Sequence, residues 1–283
     1  MTTRTIDNTT IERGTAIISS RHNPRIKAIR ALGSRKERER TGLFFVEGVH
    51  LVAAAVQLRA GIETLVVAPE LLVSRPGREL VRAQQQRGVP CLEVTAEVFQ
   101  GLAVKEITQG IGAVVRQCWE ELARVRPAGE HCWVALDAVQ YPGNLGTILR
   151  TCDAIGGAGV ILLGHTTDPY DPAAVRASLG AIFSQRLVRT SFAEFADWKR
   201  QHGCQVVGTS PSASTDYQGI AYRRPLVLLM GSEPRGLSRE HQALCDVVVT
   251  IPMIGHGDSL NLSVATSIVL YEIFNQQRAA ANL

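Results

Sequence analysis

No stretch of this 283-residue chain approaches the roughly 18 consecutive apolar residues of a membrane-spanning helix, and the opening MTTRTIDNTTIERGT lacks the apolar core of a signal peptide. The expectation is a cytoplasmic globular protein. Six cysteines (Cys91, Cys118, Cys132, Cys152, Cys204, Cys245) are scattered without a C-x-x-C pair, and most have apolar neighbours, which predicts reduced core thiols and no metal site. The glycine fingerprint G-x-G-x-x-G is missing after the first strand, and G-x-x-x-x-G-K-[ST] is absent altogether. AIGGAG (154–159) falls at the end of a helical pattern, where glycine serves as a C-cap. Ser178, Ser232 and Ser259 have no G-x-S-x-G context, and His256, near Ser259, reads as a loop residue rather than a general base. Dinucleotide-dependent oxidoreduction, P-loop phosphoryl chemistry and serine hydrolysis thus lose their usual signatures.

What remains is an apolar fraction of 45%, enough to build a sizeable core, and a net charge of +4 that is unevenly placed. Arg21, Arg25, Lys27, Arg30, Arg35, Lys36, Arg38 and Arg40 stand within twenty residues, opposed there only by Glu37 and Glu39. Such a cluster can neutralise phosphates, and charge alone fits a solvated helix face equally well.

Residues 1–18 are polar, Thr-rich and aperiodic, and read as a loose tail. From 19 to 117 short strands alternate with helices: LFFVEG, TLVVAP, CLEV and GIGAVVR as strands, VHLVAAAVQLRAG, GRELVRAQQQRG and AEVFQGL as helices. CWEELARVRPAGEH predicts a connecting helix and linker over 118–130, with Pro127 and Gly129 marking the boundary. A second α/β unit, 131–283, follows: CWVALDAV, AGVILLG, CQVVGTS, PLVLLMG and DVVVTIPM as near-continuous apolar strands, DPAAVRASLGAIF and SFAEFADWKRQHG as helices, and a long terminal helix. Apolar strands separated by helices predict a parallel sheet covered on both faces, with ligands at the carboxyl ends of its strands.

Three polar, glycine-bearing stretches each follow a predicted strand and precede a helix: QYPGNLGTILR (140–150), GSEPRGLS (231–238) and IPMIGHGDSLN (251–261). In the first, Leu145, Ile148, Leu149, Cys152 and Ile155 form one helical stripe, and Arg150 lies off it. Any single loop reads as a tight turn or a ligand cradle, and Asn144 with Arg150 as a cap and a solvated charge or as a substrate clamp. Three such loops at one sheet edge predict convergence.

In this order the three stretches resemble the signature motifs of the SpoU family of RNA ribose 2'-O-methyltransferases, within the SPOUT superfamily: Asn144 and Arg150 in the first, Glu233 and Gly236 in the second, IPMIGHGDSLNLSVATSIVLYE in the third. The resemblance is strong over about 130–278. SRHNPRIKAIRAL and FFVEG resemble the ribosomal-protein-L30e-like substrate domain that many of these enzymes carry. It implies a deep trefoil knot in the C-terminal unit, S-adenosylmethionine held bent in the knotted loops, and a homodimer in which the first-motif arginine of one subunit reaches the cofactor of the other. Carried over position by position, the catalytic set is Asn144, Arg150, Glu233, Ser259 and Asn261. Backbone around Thr209, Gly231, Ile251, Met253 and Leu260 would hold the cofactor, and Arg21, Arg25, Lys27, Arg30, Arg35, Lys36 and Arg38 would bind RNA.

The implied reaction is methyl transfer to a ribose 2'-hydroxyl, driven by alignment and needing no metal. In the family's usual account Arg150 takes the proton or contacts the hydroxyl. A guanidinium stays charged in proteins, so the alternative is that Arg150 binds phosphate and stabilises the developing alkoxide. The N-terminal type and DPYDPAAVRASLGAIFS resemble members that modify 23S rRNA, housekeeping and antibiotic-resistance enzymes alike. Transfer RNA, a non-catalytic RNA-binding protein with an inactive methyltransferase domain, and a Rossmann oxidoreductase are the rivals, the last disfavoured by the missing glycine fingerprint.

Overall fold

The computed structural model describes residues 17–103, 108–129 and 131–280. All but the last two residues of the expected tail therefore lie outside the described residues, and Ile18 is already bridged to Val94 beside the first sheet. The N-terminal unit runs α1 (Pro24–Ala31), α2 (Arg35–Thr41), β1 (Leu43–Glu47), α3 (Val49–Gln57), β2 (Ile62–Val67), α4 (Arg75–Gln86), β3 (Cys91–Glu93), α5 (Ala96–Gln100) and β4 (Ile111–Arg116). Four of its five helices begin where short polar side chains accept from first-turn amides: Asn23 ahead of Pro24, Ser34, Ser74 and Thr95, while α3 follows Gly48. The strand order is β1-β4-β2-β3, with β4 antiparallel to both β1 and β2. Ile26, Ile29, Val98 and Phe99 cover one face of this sheet.

The C-terminal unit contains β5 (Trp133–Asp137), α6 (Pro142–Ala154), β6 (Gly159–Leu163), α7 (Pro172–Ser178), β7 (Arg186–Thr190), α8 (Phe192–His202), β8 (Gln205–Thr209), β9 (Thr215–Asp216), β10 (Leu226–Met230), α9 (Arg239–Leu244), β11 (Val247–Thr250) and α10 (Leu262–Ala280). Its seven strands, ordered β7-β6-β5-β10-β8-β11-β9, pair entirely in parallel. All five residues of β6 and all five of β10 are buried, as expected for strands covered on both faces.

Three local expectations need correction. The connecting helix over 118–130 reduces to one 3-10 turn at Leu122–Arg124, because Leu122 and Val125 reach the Phe195 and Trp198 cluster from irregular backbone and Glu120 bridges to Val188 at the sheet edge. The helix expected from DPAAVRASLGAIF stops at Ser178, where Leu179 (φ 47°) and Gly180 (φ 101°) turn left-handed. Strand β7 escapes the sequence reading because arginines interrupt its apolar run. Arg186 pairs with Glu120 at 2.6 Å and lies over the Trp133 ring, which makes a charged strand tolerable at the edge.

The two units share one apolar core, which joins Phe44 and Val46 of β1 to Val134, Tyr170 and Val175, with the Phe44 and Tyr170 ring centroids 4.7 Å apart. Arg38 is sealed into this junction at 1% exposure. Its guanidinium donates to Asp168 Oδ2 (2.7 Å), Asp171 Oδ2 (3.4 Å) and the carbonyls of Leu32 and Gly33 (2.9 Å each). This removes Arg38 from the expected RNA-binding set: an enclosed cation with its donors engaged cannot reach a phosphate.

Candidate active site

The loops that leave the carboxyl ends of β5, β8, β10 and β11 enclose a cavity of about 650 Å³, within the range of small-molecule sites. The architecture dictates this position, since parallel strands deliver their following loops to one edge. Four of the five expected catalytic residues (Asn144, Glu233, Ser259, Asn261) line it, together with Thr209, Gly231, Ile251, Met253 and Leu260.

A chain of polar contacts joins the three motifs. Helix α6 has no side-chain cap of its own at Tyr141. Glu233, from the loop after β10, supplies one from outside: its carboxylate accepts from the amides of Gln140 (3.0 Å) and Tyr141 (3.4 Å) and from Asn144 Nδ2 (3.3 Å). A carboxylate suits that place, at the positive end of a helix. Asn144 Oδ1 in turn accepts from Asn261 Nδ2 at 3.1 Å. Asn261 Oδ1 then accepts from the Ser263 amide at 2.9 Å, holding the first turn of α10. Behind the second loop, buried His241 meets Ser238 Oγ through Nδ1 at 2.5 Å, and its Nε2 stands 3.7 Å from Asp137 Oδ1 at the end of β5.

Glycine at 231 is required by crowding. A Cβ there would lie 2.1 Å from the Gly236 carbonyl carbon and 2.3 Å from the Leu237 nitrogen, so the loop folds back on its own strand only without a side chain. Gly231 and Gly236 thus meet backbone to backbone where both line the cavity. Thr209 Oγ1 donates to Met230 Sδ at 3.3 Å and ties β8 to β10 beneath it.

Arg150 is not among the cavity-lining residues. It is exposed on α6, six residues beyond Asn144 and so about 240° further round the helix. Sequence reading also missed Ser210, Ser212, Arg235 and Gln242, all of which line the cavity. For the two serines the signal was present, in a Ser- and Pro-rich turn directly after a predicted strand.

Among the basic residues, Arg35 Nη1 donates to the Thr166 carbonyl at 2.9 Å, and the neighbouring Thr167 amide donates to Val139 O at 2.7 Å, in the loop that leads into α6. Arg35, which also pairs with Glu39 at 2.9 Å, therefore sits beside the loop that follows β6 at the carboxyl edge of the sheet. Arg25 and Lys27 are exposed on α1, while Arg21 faces Glu97 at 3.3 Å and Arg30 donates to Gly101 O at 3.4 Å. No helix among the described residues is long and apolar enough to cross a membrane.

Comparison with known proteins then decides the family. The model of the SpoU rRNA methylase family matches residues 131–271, and that of the MRM3-like substrate binding domain matches 23–113. A 23S rRNA (uridine(2479)-2'-O)-methyltransferase of Streptomyces viridochromogenes is 35% identical over 253 residues, 87% of each chain. The chain belongs to the SpoU methylase family. Another relative, the Bacillus subtilis 23S rRNA (guanosine(2553)-2'-O)-methyltransferase RlmP, is 30% identical over 90% of this chain and 98% of its own. Among solved structures, an AdoMet-bound rRNA methyltransferase from Sinorhizobium meliloti superposes with a TM-score of 0.84 at 39% identity, covering 91% of this chain and 97% of that one. For a SpoU protein the cavity at the carboxyl edge is where the three family motifs meet.

Proposed function

We propose that this chain is an S-adenosylmethionine-dependent ribosomal RNA 2'-O-methyltransferase acting on 23S rRNA. The observation that carries this reading is the continuous contact chain Glu233–Asn144–Asn261 across three separate loops around one cavity. The cavity suits the cofactor: its volume fits a nucleoside with a short tail, glycines 231 and 236 keep side chains out of part of its wall, and Ile251, Met253 and Leu260 offer apolar contact. When bound there, the cofactor supplies an electrophilic methyl group on a sulfonium.

The chain's own residues then have distinct tasks. Glu233 already accepts from two backbone amides and Asn144, so it serves as a structural anion holding the first loop against the second, not as the base. Asn144 and Asn261 fix the relative position of α6 and α10. Arg150 remains cationic, so it donates hydrogen bonds to RNA phosphate and to the ribose oxygen as negative charge develops, and the hydroxyl proton passes to water. Alignment of the ribose oxygen behind the methyl carbon contributes most of the acceleration.

The enzyme works as a homodimer in the cytoplasm, through a knotted C-terminal unit preceded by an RNA-gripping unit over 19–117 and a junction at 118–130. Two features support the dimer. Arg150 does not line its own chain's cavity, and Tyr141, Met253, Ile254, Leu260 and Val264 leave an apolar surface around the cavity mouth exposed, Ile254 completely. The knotted path rests on the family, whose model matches residues 131–271.

The experiment is transfer of labelled methyl to unmodified 23S rRNA and to bulk tRNA, with Arg150→Ala alongside. Label is expected on a ribose 2'-oxygen of 23S rRNA, falling at least a hundredfold in the variant, in line with loss of a donor to a developing oxyanion. Arg150→Lys should recover little, because an ammonium lacks the bidentate fork. Mixing Arg150→Ala with Gly231→Ala protomers should restore part of the activity, since one mixed site then has an intact arginine and an intact cavity. Label in tRNA alone overturns the substrate, and no label in either RNA overturns the activity.

A further inference from the structure

A second cavity, of about 160 Å³, lies between the two units, walled by Phe45 and Leu51 on one side and by Val175 of α7 and Leu179, just past its end, on the other. We infer that it receives a single unstacked base of the RNA substrate, a reading that rests on the function proposed above. It is too small for a nucleotide cofactor, whose sites run from roughly 300 Å³ upward, and its apolar walls offer the flat contact that an extruded base requires. Phe45 is half-buried with its ring on β4, where Gly112 makes room: a Cβ at 112 would lie 2.4 Å from the ring. One aromatic ring is thus set in the wall with its remaining surface open, as stacking platforms for single-stranded nucleic acid are.

The rim has the matching charge. Arg30, His50 and Arg176, all exposed, surround the opening, one from each of α1, α3 and α7. Glu47 also lines the slot, so the basic groups at the opening outnumber one carboxylate, a balance that suits a base arriving attached to phosphates.

The walls are held before any ligand arrives. Buried Arg38 donates to the carbonyls of Leu32 and Gly33, which line the cavity, and to Asp168 and Asp171, the latter immediately before its Pro172. Leu179 is held left-handed at φ 47°, and its carbonyl meets His50 Nε2 at 3.1 Å across the opening. A strained non-glycine residue persists only where its surroundings over-determine it, and such residues gather at ligand clamps. The loop carrying Thr166 to Asp171 joins this cavity to the catalytic edge, through the Thr167 to Val139 hydrogen bond.

The test fills the slot without altering charge. Val175→Phe and, from the exposed mouth, Leu179→Trp are compared with wild type and with the rim double variant His50→Ala/Arg176→Ala for binding of an unmodified 23S rRNA transcript over a range of salt. Melting temperature and S-adenosylmethionine affinity serve as fold controls, and Leu179→Trp covers the case in which Val175→Phe fails to fold. Loss of one stacked base should weaken binding about tenfold, with the salt slope of the filled variants unchanged and that of the rim variant reduced, because only the latter loses phosphate contacts. Filled variants that fold and bind RNA as wild type does would overturn the inference. RNA binding that weakens on filling, in a wild type that transfers no methyl group, would leave the base site standing and sink the catalytic reading instead.

Discussion

Two small polar networks hold this protein's loops together, and they differ in where they sit. Around the cavity, Glu233, Asn144 and Asn261 connect three loops in partly exposed positions, next to space a ligand can occupy. Between the units, Arg38, Asp168 and Asp171 connect two domains, with Arg38 and Asp168 closed off from solvent. Both use side chains that bulk composition would place on the surface. The contrast teaches that residue type announces a polar network but not its purpose: solvent access separates a network that can meet a ligand from one that only fixes geometry.

The comparison can be broken by substitution, and the interdomain network should be the more costly to lose. Arg38→Ala leaves Asp168 buried without its cation, and should destabilise by about 3–5 kcal/mol, seen as a large fall in denaturation midpoint. A loss below about 1 kcal/mol would mean water enters the junction. Glu233→Ala should be milder. Gln140 and Tyr141 are exposed, so water replaces the lost acceptor, and about 1 kcal/mol is expected, as for removal of a helix cap. Its larger effect should be on S-adenosylmethionine affinity, measured by calorimetry, because the first two loops are no longer joined. Asn261→Ala should fall in the same range or below, since Asn261 is exposed and water can replace its bonds to the Ser263 amide and to Asn144.

The smallest effect sharpens the comparison through the core instead. The six cysteines are free, and burial pushes the thiols of Cys91, Cys204 and Cys245 up to about 11 and that of Cys152 to about 12, with Cys132 raised as well. A raised thiol pKa means less thiolate below it, so at pH 8 these five should resist alkylation in the native state. Exposed Cys118 should react first, and mass spectrometry of the labelled protein checks it. Rapid modification of Cys132 or Cys152 would show that the second unit opens readily.

Much of the fold was legible because its strands are short apolar runs between helices with capping residues at their starts, as at Ser191, which forms a capping box with Glu194. Strand β7 was not, because its burial rests on Arg186 meeting Glu120 and Trp133, partners far away in sequence. The same limit applies at the site. Glycine-bearing loops after strands located the cavity, whereas Glu233 as a cap for a helix ninety residues away could only come from tertiary structure. Arg38 shows the opposite failure: it sits in a run of basic residues that reads as one surface, yet α2 turns it inward.

The buried Arg38 junction has a consequence for target choice. A shared core and a sealed ion pair leave no hinge between the unit proposed to grip RNA and the edge proposed to act on it. The protein then behaves as a calliper of fixed opening. Lengthening the RNA stem between the gripped element and the target by one base pair should move the modification to a different nucleotide, or abolish it.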